Sequence, residues 1–383
     1  RYLNLFTKIV DWIGPRIVPA ILDAGHDFDL VDDGTLEEAR NRRYRAVVLP
    51  GVQRMPEATR RWLADYARDG GTVLAVRRKP DGDWPNLELV SEEDLSRRLA
   101  AAVPADVTLE PSVPEVGFVH RRLADADVYF LANSGNQPRT VRARFSVQRP
   151  YAESWDPFTG KPERLEAGGG EIGLRFEPYG SRVVVFANER SAAPAAPSRS
   201  VTASEELRSG WSVSFGATVD LPHSWEHDAA TRYFSGTASY RRTVPLSPAF
   251  RSPGARVFLD FGEARPAERE PLPGGTLRGN SFAALVAPPI REAATVFVNG
   301  RRAGSVWAPP YRIDITDLLQ DGANDIRVDV YNTAINRLAE GGHLPDMSAL
   351  VQRYGLRTRL QDLDGLQPLP SGILSPPRIV AER

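Results

Sequence analysis

Cysteine is absent from the 383 residues, methionine occurs twice and histidine five times. Without a thiol, disulfides, thiolate metal sites and cysteine nucleophiles are excluded together, and the redox compartment stays open. Lysine is scarce too: the 48 basic residues include only Lys8, Lys79 and Lys161, and the rest are Arg. None of these lysines sits in a G-x-x-x-x-G-K-[ST] phosphate loop, and no G-x-S-x-G nucleophile elbow occurs. Charge of one sign is also missing, since 49 acidic residues bring the formal net charge to −1. That leaves no electrostatic case for nucleic acid or an anionic membrane as a partner. No apolar run approaches the roughly 20 residues that span a bilayer.

What is present describes a packed protein of two or three domains, with 42% apolar and 25% charged residues. The chain opens on Arg1 in "RYLNLFTKIVDW". We read this as the inside of a longer gene product, whose signal peptide and first strand would lie upstream.

Three regions follow one another. Residues 1–110 alternate helical and strand patterns. "DWIGPRIVPAILDAG" and "PEATRRWLADYARDGG" carry helical spacing and end at glycines, while "RAVVLPG" and "TVLAV" are short buried strands. Apolar strands separated by helices indicate a partial, doubly wound parallel sheet. Residues 111–190 lose the helical period and read as a small β-sandwich, with strands at "DVYFLANSG", "RTVRARFSV", "YAESWDPFTGKPERL" and "SRVVVFANE". Residues 191–200, "SAAPAAPSRS", have nothing to bury and read as a linker. Residues 201–383 are again β, with "TASYRRTVPL", "ARVFLDFG", "ATVFVNG", "YRIDIT" and "NDIRVDVYN" alternating with period two. Asn299-Gly300 supplies the positive φ values of a tight hairpin. The region reads as a C-terminal jelly-roll β-sandwich, so the fold class is multidomain α/β plus all-β.

Chemical motifs are few. "GGGEIG" (Gly168–Gly173) matches G-x-G-x-x-G, but the residues after it are strand-like, whereas a dinucleotide site needs a helix there. No cofactor is expected. His223 and His227 in "HSWEH" have the spacing of two metal ligands on a helix, yet Pro222 and strand-like surroundings favour a polar loop, and no metal is expected. Asp314, Asp317, Asp325 and Asp329 read as strand exteriors and turns rather than a glycosidase pair. The aromatics Trp211, Trp225, Tyr233, Phe234, Trp307 and Tyr311 could stack on sugar rings or fill the core. Trp307 and Tyr311, flanking Pro309-Pro310, are the best surface candidates.

These features carry a resemblance. "TRYFSGTASYRRTV" (Thr231–Val244), the stretch from Ala294 to Leu338 and the closing "DLDGLQPLPSGILSPPRI" resemble the sugar-binding jelly-roll domain of family 2 glycoside hydrolases. Together with "HLPDMSALVQRYG", the last two are similar to the C-terminal end of bacterial family 106 α-L-rhamnosidases. "YRAVVLPGVQRMPEATRRWLADYARDGGTVLAV" resembles the glutamine-amidotransferase-like α/β accessory domain of large glycosidases, but the nucleophilic Cys of amidotransferases has no counterpart here.

In those rhamnosidases the acid and base lie on a (β/α)8 barrel, which takes roughly 250 residues, whereas only about 105 of α/β pattern are present. No catalytic residue is therefore assigned to this chain. The resemblance implies an accessory, carbohydrate-binding and structural portion of a glycoside hydrolase whose upstream barrel cleaves terminal α-L-rhamnose with inversion. Rhamnose-containing glycans or glycosides and that barrel are the expected partners. Trp307, Tyr311, Arg312, Tyr233 and Trp225 are the expected sugar contacts, and a periplasmic or secreted location is expected over a cytoplasmic one. The alternative is a free-standing, non-catalytic sugar-binding or scaffold protein. An active site in the α/β region itself has no nucleophile, phosphate loop or metal set to support it.

Overall fold

The computed structural model describes residues 11–35, 44–84, 86–165, 171–195, 200–268, 284–341, 347–355 and 366–383. The chain divides into two compact units, Arg1–Phe176 with Gly180–Ala196 and Glu177–Tyr179 with Pro197–Arg383. Strands outnumber helices throughout.

The first unit begins with α1 (Ile17–Asp23), β1 (Ala46–Pro50), α2 (Glu57–Arg68), β2 (Thr72–Val76), β3 (Leu87–Val90) and α3 (Leu95–Ala102). The three strands are parallel in the order β1-β2-β3. Strand periodicity decides what lies on each face. Leu74 and Val76 join Ile17, Leu95 and Leu99 in one core, while Val73 and Ala75 join Leu63 and Leu87 in another. A strand covered on both faces reads as an unbroken apolar run, which is why "TVLAV" is legible. The first helix is shorter than its sequence period suggests. Residues 11–13 are helical, then Gly14 and Pro15 interrupt before α1. Pro15 has no N–H to continue the ladder.

The same unit continues with β4 (Val107–Glu110), β5 (Val116–Arg122), β6 (Ala126–Asn133), β7 (Arg139–Phe145), β8 (Tyr151–Trp155), β9 (Pro162–Leu165), β10 (Glu171–Phe176) and β11 (Ser181–Ala187). They form two antiparallel sheets, β10-β7-β4 and β5-β6-β11-β8-β9. Val141, Phe145 and Phe176 of the first sheet share a core with Phe118, Tyr129, Leu131 and Phe186 of the second. The boundary expected after residue 110 therefore moves forward, because β4 pairs with β7 and buries Val107 in this core. Gly168–Gly170 lie outside the described residues, and Glu171–Phe176 is a strand, so no helix follows the glycine motif. Half of the expected linker is packed: Arg164 N donates to Pro194 O at 2.7 Å, and Ala193 is buried. Residues 196–199 lie outside the described residues.

The second unit has a six-stranded sheet in the spatial order Ala217–Val219, Trp211–Val213, Thr237–Pro245, Ala323–Tyr331, Ala293–Val298 and Arg301–Val306. A four-stranded sheet runs Val201–Glu206, Arg378–Glu382, Arg256–Asp260 and Arg312–Asp314. Tyr240, Val296 and Val328 from the first meet Val257, Leu259, Ile313 and Ile379 from the second in one core. The Asn299-Gly300 turn has φ values of 50° and 77°, those of a two-residue hairpin matched to strand twist. Asn299 also ties the turn down, since its Nδ2 donates to Leu318 O and Asn324 Oδ1, both at 2.9 Å.

Gly372 is a tighter constraint. It pairs with Ser224 and Arg291, and its φ of 117° suits glycine. A Cβ there would lie 2.4 Å from His223 O and 2.8 Å from Trp225 Nε1. Gly372→Ala is therefore expected to cost the second unit about 2 kcal/mol or more. Gly300→Ala, which meets no atom within 4 Å, is expected to cost only about 1 kcal/mol. Urea unfolding followed by Trp fluorescence distinguishes the two, and equal losses would refute the assigned close approach.

Candidate functional site

The residues expected to contact sugar have separate fates. Trp225 is 0% accessible and is corrected to a core residue. Its ring packs edge-to-face on Phe215 and Phe234, with centroids at 5.7 and 5.5 Å, and Nε1 donates to Tyr240 Oη at 2.6 Å. Both faces of the indole are thus closed to a pyranose. Tyr311, at 5% accessible, is likewise corrected to the core. Trp211 is wholly buried, and its Nε1 donates to Leu207 O. Tyr233 is half-buried, with the Arg232 guanidinium 6.0 Å from its ring centroid. Arg312 lies 3.8 Å from the Phe258 centroid and donates to Glu382 Oε1 at 2.8 Å.

Trp307 remains. It is 62% accessible and stands on the short crossover from Arg301–Val306 to Arg312–Asp314. Those strands are edge strands of different sheets, so this loop passes from one layer to the other. It is anchored where it re-enters the fold. Tyr311 O accepts from Phe261 N at 2.9 Å, and Arg312 N donates to Pro310 O at 2.8 Å. Trp307 and Tyr311 therefore share one loop that leads into Arg312, and of the three Trp307 is the exposed one. Trp225 and Tyr233 belong to a separate segment.

The other sequence candidates are occupied structurally. His223 lies in a two-residue strand and His227 ends a one-turn 3-10 segment, so helical i, i+4 alignment does not arise. His223 Nδ1 is 2.8 Å from Tyr240 Oη, and burial holds its pKa below the usual value. Among the described residues no group of three or more His, Asp or Glu is placed to hold a metal ion. Asp314 accepts from Arg256 Nε at 2.7 Å and Thr316 N at 3.0 Å. Burial opposes its charge, yet Thr316 and Arg256 hold its carboxyl below the usual range. Asp329 accepts from Ser239 Oγ at 2.7 Å. Both are ladder-side carboxylates with partners, and Asp317 and Asp325 are exposed.

The first unit holds an ionic cluster that sequence reading did not find. His120 Nδ1 is 2.7 Å from Asp106 Oδ2, and Nε2 is 2.8 Å from Asp127 Oδ1. The Tyr129 ring stacks on the imidazole at 4.0 Å between centroids and donates its hydroxyl to Asp106 Oδ1 at 3.0 Å. Arg149 Nε donates to Asp127 Oδ2 at 2.7 Å. Strand alternation explains the convergence. Phe118 and His120 project inward from β5, and Asp127 and Tyr129 inward from β6, so polar groups stand at core positions of an otherwise apolar face. That inward polar parity was the available signal. Chemically, both imidazole nitrogens are committed to carboxylates, so His120 is a clamp rather than a free base.

Burial opposes charge on His120, but Asp106 and then Asp127 outweigh it and raise the pKa above 6.5. Burial also opposes charge on Asp127, but Arg149, His120 and Arg122 hold its carboxyl below the usual range. The cluster borders a cavity of about 750 Å³ that is also lined by His26, Asp27, Arg122 and the whole of β1.

The class is that of glycoside-hydrolase relatives. Residues 85–167, spanning β3 to β9, match the family model of the family 106 α-L-rhamnosidases. A rhamnosidase from Novosphingobium sp. PP1Y matches with a TM-score of 0.61 at 24% identity, over 89% of this chain and 34% of that one. A Formosa agariphila protein assigned as a β-glucuronidase is 26% identical over 38% of this chain and 15% of its own length. The chain resembles family 106 α-L-rhamnosidases, sharing the fold of part of one, and spans well under half of either relative.

The His120 cluster gives a signed pH prediction. A raised histidine pKa contributes stability that is complete below the unfolded value and lost as pH rises through the folded one. The lowered Asp127 pKa acts at the other end, its contribution being lost as pH falls through the folded value. His26, whose pKa is lowered by burial, opposes the histidine effect in the intact chain. The difference between the native chain and His120→Gln isolates the clamp. That difference in thermal midpoint is expected to be largest between about pH 4 and pH 6.5 and to shrink on alkaline titration. A difference that grows with pH would refute the charged clamp.

Proposed function

We propose that this chain is the accessory, carbohydrate-binding and structural portion of a glycoside hydrolase of α-L-rhamnosidase type. In this reading a (β/α)8 barrel elsewhere in the parent polypeptide performs the cleavage. The three-stranded parallel sheet is its amidotransferase-like accessory domain, β4 to β11 a small β-sandwich, and the second unit a jelly-roll module of galactose-binding type.

One observation carries the reading: three largely sheltered carboxylates, Asp127, Asp314 and Glu382, are already committed to arginine. Asp127 is held by Arg149 and His120, Asp314 by Arg256 and Thr316, and Glu382 by Arg312. A hydrolytic pair needs one carboxyl protonated and one free across a sugar-sized gap. Carboxylates pinned by arginine are unsuited to the acid role. Among the described residues the sheets are open, and none closes as an eight-stranded parallel barrel. Trp307 supports the carbohydrate part, since an exposed indole on an anchored loop offers a flat apolar face to a pyranose. A single stacking residue supports weak binding.

The purified chain is expected to release no product from aryl α-L-rhamnosides. Turnover that disappears on mutating one carboxylate of this chain would overturn the proposal. Calorimetric titration with rhamnose and with galactose is expected to show dissociation constants on the order of millimolar. Trp307→Ala should weaken any such binding roughly tenfold, the equivalent of about 1.4 kcal/mol of stacking. Unchanged affinity in that variant would remove Trp307 from the site.

A further inference from the structure

The outward face of the six-stranded sheet carries a pair of aromatics in register. Along Ala323–Tyr331, the residues Ile326, Val328 and Val330 are buried in the core, so Arg327, Asp329 and Tyr331 face the other way. Tyr331 is 40% accessible. It stands opposite Thr237 on one side and Ala293 on the other. Beyond Ala293 lies the strand Arg301–Val306, where Ala294 pairs with Val306 and both are buried. Carried one residue further, that register sets Trp307 opposite Ala293, at a position that alternation assigns to the outward face.

Tyr331, Ala293 and Trp307 thus form one row across the sheet, with a small residue between two large ones. Neighbouring strands lie about 4.8 Å apart, which separates the two aromatic positions by roughly 10 Å. That distance is longer than one pyranose ring and close to the span of two linked ones. The methyl group of Ala293 keeps the ground between them low.

The adjacent row supplies hydrogen-bonding groups. Ser305, Thr295, Asp329 and Ser239 are in register across the same strands, and none of them is buried. Thr295 Oγ1 lies 3.3 Å from Ser305 Oγ, and Ser239 Oγ donates to Asp329 Oδ1 at 2.7 Å. Arg327 Nε stands 3.4 Å from Asp329 Oδ2. These contacts fix the carboxylate in place, and a carboxylate has lone pairs for about four donors, so acceptor capacity is left over. The Arg327 guanidinium lies 3.9 Å from the Phe297 centroid and covers that third aromatic. Trp307 and Tyr331 are left as the stacking faces.

We infer that this face binds an oligosaccharide of at least two linked sugars, laid across the strands with one ring on Trp307 and another on Tyr331. The inference rests on the carbohydrate-binding reading of Trp307 and adds to it a second contact, a length and a direction. The chemistry of the two rows selects this occupant. Aromatic faces take the C–H side of a sugar ring, while the hydroxyls at its rim meet the Ser305–Ser239 row. A purely apolar partner would bury that row of hydroxyls and carboxylate without replacing its hydrogen bonds to water. Linkage between the sugars makes the second contact intramolecular, so affinity rises with chain length on an open surface.

Calorimetric titration of the 383-residue chain with L-rhamnose and with a panel of α-linked dirhamnosides tests this. At least one dirhamnoside is expected to bind about tenfold tighter than rhamnose, or better. Tyr331→Ala should remove that gain, as should Tyr331→Thr, which keeps strand propensity at this exposed strand end. Tyr331→Phe, which keeps the ring, should retain it. Trp307→Ala should weaken both sugars, whereas Trp155→Ala, 39% accessible on the first unit, should change neither. Dirhamnosides no tighter than rhamnose, or a gain that survives both Tyr331→Ala and Tyr331→Thr, would overturn the two-aromatic platform and leave Trp307 as a single site. An equal loss in Trp155→Ala would overturn it as well. Absence of saccharide binding altogether would remove the platform and the carbohydrate-binding reading together.

Discussion

The second unit depends on the pairing of its own ends. Ser200 and Arg383 exchange backbone hydrogen bonds at 2.9 and 3.0 Å, and Val201–Glu206 pairs antiparallel with Arg378–Glu382. The terminal strand also pairs with Arg256–Asp260, so it is central in the four-stranded sheet. Its Ile379 and Ala381 are wholly buried in the common core. Nothing in that sheet is complete until the last residues arrive, and the loop they close is nearly the whole unit. Such non-local pairing is slow to form, but it makes the unit cooperative once formed. The six-stranded sheet, held by the long Thr237–Pro245 and Ala323–Tyr331 ladder, gains the cover it needs only from this closure.

How much of this could be read from sequence follows from which forces act locally. The hairpin at Ala293–Val306 was legible because alternation and turn chemistry agree: Val296 and Val298 point inward, and Asn299-Gly300 has the required φ values. The parallel strands at Ala46–Pro50 and Thr72–Val76 were legible because burial on two faces leaves an unbroken apolar run. Val107–Glu110 was not. Its four residues sit between Pro104 and Pro111 and acquire strand character only from β7. Trp225 was misread for a related reason. An aromatic after Pro222, in a polar stretch, has the local look of a surface residue, and only Phe215, Phe234 and Tyr240 make it core.

The ionic cluster shows the same limit with higher stakes. Asp106, His120, Asp127 and Arg149 are dispersed over four tens of residues and form no motif, yet two strands and two connecting segments bring them within hydrogen-bond distance. A buried ion cluster is costly unless every member is paired, and here both His120 ring nitrogens and Arg149 Nε meet carboxylates while Arg149 Nη2 donates to the carbonyls of Leu123 and Ala124. Asp27 extends the tie by accepting from His120 N at 3.2 Å. That bond fastens the segment carrying Phe28 and Leu30 to β5, beside the same charges that fix the sandwich.

Preorganisation also separates Trp307 from the other exposed aromatics. One indole facing water is ordinary on a protein surface and by itself signals nothing. What differs is the loop that carries it. Val306 before it is buried in the six-stranded sheet, and Tyr311 after it is buried and bonded to Phe261 in the other layer. The intervening residues include two prolines, so little backbone freedom is left to lose on binding. On the proposed carbohydrate-binding reading, a stacking face carried on such a loop adds a ligand contact at little backbone ordering cost, the condition under which a shallow site retains affinity. Trp211 and Trp225 meet the opposite condition: their rings stabilise the core because they are sealed from water, and the same packing that fixes them removes them from recognition.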